Sequence, residues 1–150
     1  MAADSTMDRI AHGLDLHHRQ GRPDAARDLF TAIWTEIGGE RGDPLHVSVL
    51  AHAMADVQAD PYQELLWDQR ALTATGALTD DRLAEAGVPM PVAALYPSLH
   101  LNLAGCHLKL GDRARAREHV ELARAGLGAL ADDDYGRLIR TGLEQLEQQL

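Results

Sequence analysis

Residues 99–123 read LHLNLAGCHLKLGDRARAREHVELA, and their spacing decides the fold. Leu99, Leu103, Cys106 and Leu110 recur at helical spacing, with Leu101, Ala104 and Leu108 beside them, so the first half is an amphipathic helix. Gly111 is placed to stop that helix and Asp112 to cap the next one. Ala116, Val120 and Ala123 then continue the apolar stripe on a second helix. Two helices joined by so short a turn must fold back on each other.

The same residues carry a family likeness. A large-then-small pair in the first helix (Leu103-Ala104), a Gly-Asp turn (Gly111-Asp112) and small residues in the second helix (Ala116, Ala123) resemble a tetratricopeptide repeat, or TPR. His100 and His107 stand where that repeat usually has aromatics. The resemblance implies an all-α fold: a right-handed stack of about three TPR-like helix pairs with a C-terminal capping helix. It also implies a binding style, in which the first helix of each pair lines a concave groove. Small stand-alone TPR proteins of high-GC bacteria look similar, and a protein-interaction role follows from the likeness.

Composition agrees with a helical stack. At 150 residues the chain is long enough for one domain with a sizeable core. Apolar residues make up 45% but aromatics only 4%, so the core must be built from Leu, Ala and Val. That suits close-packed helices better than sheets. Fourteen basic residues face twenty-three acidic ones, and a net charge of −9 argues against nucleic acid as a partner. Arg113, Arg115 and Arg117 alternate along a helix already carrying Glu118 and Glu121, which marks a solvated face. The single cysteine, Cys106, allows no internal disulfide and fits a reducing cytoplasm. MAADSTMDRI has no apolar signal region and no stretch approaches a membrane span, so neither secretion nor a membrane partner is expected. Lys109 is the sole lysine among the basic residues, which together with the many alanines points to a high-GC bacterial codon bias.

Working outward, the periodicity places a first helix from Asp8 to Arg19 with Ile10 and Leu14 inward. A second begins at Pro23 and buries Ala26, Leu29, Phe30, Ile33, Trp34 and Ile37. Gly21 matches the repeat's turn glycine, whereas Gly13-Leu14 inverts its large-then-small pair. Asp43-Pro44 and Asp60-Pro61 each open a helix, giving Leu45 to Gln58 around Val47, Leu50, Ala51 and Met54. Tyr62 to Thr73 follows, with Leu65, Leu66, Trp67, Ala71 and Leu72 as its apolar residues. The expected repeats are therefore about 8–37, 44–74 and 98–128, in a single domain spanning 1–150. Residues 75–97 form an insertion, with a short helix from Thr79 to Gly87 and an extended Val88 to Val92 that either packs on the stack or crosses its groove. Asp132, Asp133 and Asp134 start a capping helix over 132–150, with Leu138, Ile139, Leu143, Leu146 and Leu150 as its stripe.

Residues of one phase on the three first helices form the candidate groove. They are Asp8, His12, Asp15 and Arg19; then Ser48, His52 and Asp56; then Ser98, Asn102, Gly105 and Lys109. Ordinary solvent-facing sides of amphipathic helices would give the same stripes. Among TPR proteins, those that clamp acidic C-termini use Lys, Asn and Arg here. This chain offers only Arg19, Asn102 and Lys109 amid Asp15 and Asp56, so a neutral or basic peptide is the expected partner. His12, His52 and Asp56 are weak candidates for a metal or small-molecule site, since no HExxH motif supports them. His17, His100 and His107 read as packing residues, His18 and His46 as surface or cap residues.

Catalysis is not expected. Cys106 and His107 are adjacent on a helix and point apart, so they cannot pair as thiolate and base. Ser48 and His52 share a stripe without an oxyanion hole, and no glycine loop is placed to cradle phosphate. Neither a cofactor nor an enzymatic activity follows, and the leading reading is an adaptor. Burial of the stack's exposed end against a second copy, giving a homodimer, is also open.

Overall fold

A computed structural model describes residues 4–150, all of whose regular structure is helical. The α-helices are α1 (Ser5–His18), α2 (Pro23–Glu36), α3 (Pro44–Asp56), α4 (Pro61–Thr75), α5 (Asp80–Glu85), α6 (Tyr96–Lys109), α7 (Arg113–Ala125) and α8 (Asp134–Glu147). Short 3-10 turns cover Gly39–Arg41, Val92–Leu95 and Leu127–Ala129. Adjacent helices pack in pairs, α1 with α2, α3 with α4, and α6 with α7. The chain divides into two compact units after Leu78, within the stretch read as an insertion.

Short helices need their first N–H groups satisfied, and acidic side chains at the starts do so. Asp4, Asp43, Asp60, Asp112 and Asp133 each accept a backbone N–H one to two residues into the following helix, and Thr79 does the same for α5. Proline in the first turn of α2, α3 and α4 fixes φ where no donor is required. Asp4 bonds the Met7 N–H at 3.0 Å, which is why α1 begins at Ser5, ahead of the expected Asp8.

In the first unit the core joins Ile10 and Leu16 of α1, Ala26, Phe30 and Ile33 of α2, and Leu50, Ala53 and Met54 of α3. Gly13 explains why the large-then-small order expected of a repeat is inverted in α1. A Cβ built there would stand 2.2 Å from a Phe30 ring carbon, so the ring occupies the space a side chain would need. No glycine ends α3. Its last carbonyls are served by the Gln58 side chain, which donates to the Met54 carbonyl at 3.1 Å. Thr75 is the last residue of α4 and not part of the insertion. Its hydroxyl bonds the Ala71 carbonyl at 2.8 Å and lies fully buried. Trp34 and Trp67 meet edge to face with centroids 4.9 Å apart, and Arg70 lies 4.4 Å over the Trp67 ring. Leu66 is exposed, a third of a turn from the half-buried Trp67 on α4.

The second unit is built on residues 99–123. Gly111 takes φ +81° and lets the Asp112 N–H reach the His107 carbonyl at 2.9 Å, closing α6 before Asp112 caps α7. Ala104, Val120 and Ala123 are buried with Leu143 and Leu146 of α8. Arg113 donates to the Gln149 carbonyl at 3.0 Å and Arg124 pairs with Glu147, fastening α7 to the final helix. Asp80 accepts the Val92 N–H at 2.8 Å, and Met90 and Ala94 pack against Leu130 and Ile139. The later part of the expected insertion is therefore core of this unit. α6 accordingly starts at Tyr96, two residues before the expected repeat. Leu138, assigned to the buried stripe of α8, is 68% exposed, since the inward phase is Ile139, Leu143 and Leu146.

Two glycine substitutions separate close approach from mere flexibility. Gly13→Ala should destabilise the chain by about 1–3 kcal/mol through overpacking against Phe30. Gly105→Ala, in mid-helix with no neighbouring atom near its built Cβ, should stabilise it by roughly 0.5–1 kcal/mol. Urea unfolding followed by circular dichroism measures both, and equal signs for the two changes would contradict the packing described.

Candidate functional site

The stripe residues of the first unit sit on helices whose relative direction is fixed by polar links. Arg9, early in α1, pairs with Glu36 at the end of α2, and Arg27, early in α2, donates to the Val57 carbonyl after α3. Each of those pairs is antiparallel. His46 Nε2, in the first turn of α3, donates to Asp4 Oδ2 at the start of α1 over 2.8 Å. The N-terminal ends of α1 and α3 therefore lie together, and the two helices also pack on each other.

On α1, Asp8, His12 and Arg19 are exposed. Asp15 is partly buried and accepts from Gln20 at 2.8 Å, with Arg19 at 3.5 Å. On α3, His52 is partly buried and Asp56 exposed one turn later. Ser48 does not belong with them. It is buried, and its hydroxyl meets that of Thr75 at 2.8 Å, a bond that joins α3 to α4 and turns Ser48 away from solvent. In the second unit, Asn102 is partly buried and Lys109 exposed on α6. His12, His52 and Asp56 are not gathered into a metal-ligand group among the described residues.

A cleft of about 390 Å³ opens in the first unit between Val47 of α3, Glu40, and Leu66, Gln69, Arg70, Thr73 and Ala74 of α4. Its one cation is already engaged, because Arg70 Nε pairs with Glu40 at 3.3 Å while its guanidinium covers Trp67. The periodicity of α4 gave no sign of it, since the cleft depends on where Glu40 arrives from the preceding turn.

The densest chemistry lies in the second unit, at a histidine the stripes overlooked. His119 of α7 faces His100 and His107 of α6. The His100 and His119 Nδ1 atoms are 3.0 Å apart, so one ring donates its N–H to the lone pair of the other. His107 stacks on His119 with centroids 5.4 Å apart and planes 7° from parallel, and Tyr96 stacks on His100 at 6.1 Å. The result is a four-ring row held between two helices. A signal was present in the sequence: His100 and His107 are two helical turns apart, so they share a face that the next helix had to meet.

Burial lowers the proton affinity of all three imidazoles below the ordinary histidine value. For His119 the neighbouring His100 and His107 push further in that direction, and Glu118 opposes it. For His107, Asp112 and Glu118 oppose the shift and Arg115 adds to it. The three rings are therefore neutral in the folded chain at pH 7.

This has a definite sign. The unfolded chain takes up protons near pH 6.5 while the folded one resists, so the stabilising contribution is complete above about 6.5 and shrinks as pH falls through that region. Urea midpoints from pH 7.5 to 5 should decline, and His119→Gln should make the decline shallower. An unchanged slope in that variant would assign the acid sensitivity to other groups.

No described helix is long and apolar enough to cross a membrane. No family model, curated protein or solved structure matches the chain.

Proposed function

We propose that the chain is a TPR-like adaptor that binds a peptide or helix of a partner protein along the first helices of its pairs, in the cytoplasm of a bacterium, without catalysis or cofactor. The observation that carries this reading is the Asp4–His46 bond, which sets the starts of α1 and α3 side by side with α2 antiparallel to both. A repeat stack requires that order, because first helices must neighbour one another to share a surface. The ligand-facing residues on this reading are Asp8, His12, Asp15 and Arg19 of α1 and His52 and Asp56 of α3 in the first unit; in the second unit, Asn102 and Lys109 hold the corresponding positions on α6. Ser48 is left out of the set because of its bond to Thr75.

Charge sets the preferred partner. Asp8 and Asp56 are exposed and unmatched by nearby stripe cations, whereas Arg19 lies beside Asp15. A neutral or basic segment suits that balance, and an acidic one meets like charge.

A displayed random-peptide library selected on the untagged chain tests the reading. Selected peptides should be neutral or basic, and Asp8→Lys with Asp56→Lys should weaken them by about tenfold or more while leaving the helical circular dichroism intact. Selected peptides that bind the reversed variant equally well would remove the site from these helices.

A further inference from the structure

The His100–His119 contact has the dimensions of a chelate. Metal–imidazole bonds of about 2.0–2.1 Å, opening at angles between a right angle and the tetrahedral one, hold two nitrogens about 2.9–3.4 Å apart. The two Nδ1 atoms stand at 3.0 Å. Both belong to helices fastened to each other by a tight turn and a shared alanine-rich core, which fixes the separation of the two backbones that carry the rings. The rings are also held on their outer faces, Tyr96 against His100 and His107 against His119. Such support orients ligands before an ion arrives.

We propose that His100 Nδ1 and His119 Nδ1 form a two-nitrogen site for a divalent transition ion that favours imidazole, with Cu2+ held more tightly than Zn2+. Imidazole ligands suit both ions, and the order follows the general affinity series. The proton shared between the two Nδ1 atoms moves to Nε2 of the ring that carried it, so both rings become Nε2–H tautomers and none is lost to solvent. Burial assists by keeping the rings unprotonated near neutral pH. Both ligating histidines are only partly buried, which leaves the remaining coordination positions to water or to a small anionic or nitrogen donor. The site stands independently of the peptide-binding reading, since none of its residues lies on the proposed stripes.

Titration of the untagged full chain with CuSO4 at pH 7.5 tests it, read by calorimetry and by the nitrogen hyperfine pattern in electron paramagnetic resonance. One equivalent should bind with two equatorial nitrogens, and His100→Gln or His119→Gln should each weaken binding by more than about tenfold. His12→Ala with His52→Ala should leave the affinity unchanged. If a glutamine variant loses its helical signal, the wild-type chain still decides the matter. Substoichiometric Cu2+ should broaden the imidazole proton resonances of His100 and His119 before those of other histidines. Absence of uptake, uptake that survives both glutamine changes, or first broadening elsewhere overturns the proposal.

Discussion

Phe30 is the only phenylalanine in the chain, and it lies fully buried with its ring where Gly13 has no side chain. That contact expresses a constraint felt throughout the structure. A chain with few aromatics fills its interior by bringing helix backbones close, which demands glycine or alanine at the crossing points. Ala26 beside Phe30, and Ala104, Ala116 and Ala123 in the second unit, meet the same demand and are all inaccessible to solvent. The large residues that remain, such as Ile33, Leu50 and Leu103, then occupy the wider spaces between crossings.

Helix starts were the most legible part of the sequence, because capping is local. An aspartate or threonine before a helical run, with proline next in several cases, needs no knowledge of the rest of the chain. The small-residue face of α7 was legible for the same reason, since Ala116, Val120 and Ala123 follow one helical phase. Limits set by tertiary contacts were not. Thr75 extends α4 because Ser48 waits for its hydroxyl, and Met90 and Ala94 join a core whose other half arrives with α8. Leu138 was misplaced because apolar character alone does not say which of two adjacent residues faces inward.

The candidate sites divide in the same way. The exposure of Asp8, His12, Arg19 and Asp56 follows from the phase of their own helices. The imidazole row does not, since it needs α6 and α7 registered so that His119 meets His100. The register comes from the two residues of the Gly111-Asp112 turn, one supplying the left-handed backbone and the other the cap. A turn chosen for compactness thereby also brings two imidazoles nineteen residues apart in sequence face to face.

Both tryptophans, Trp34 and Trp67, lie in the first unit and touch each other, whereas the lone thiol, Cys106, is buried in α6 of the second. Tryptophan fluorescence, excited where tyrosine does not absorb, therefore reports on the first unit, through a ring pair quenched or released as α2 and α4 separate. Thiol reactivity follows the opening that exposes Cys106 of α6. Three side chains thus give two local signals, one at the contact of α2 with α4 and one inside α6, and each follows loss of order at its own place.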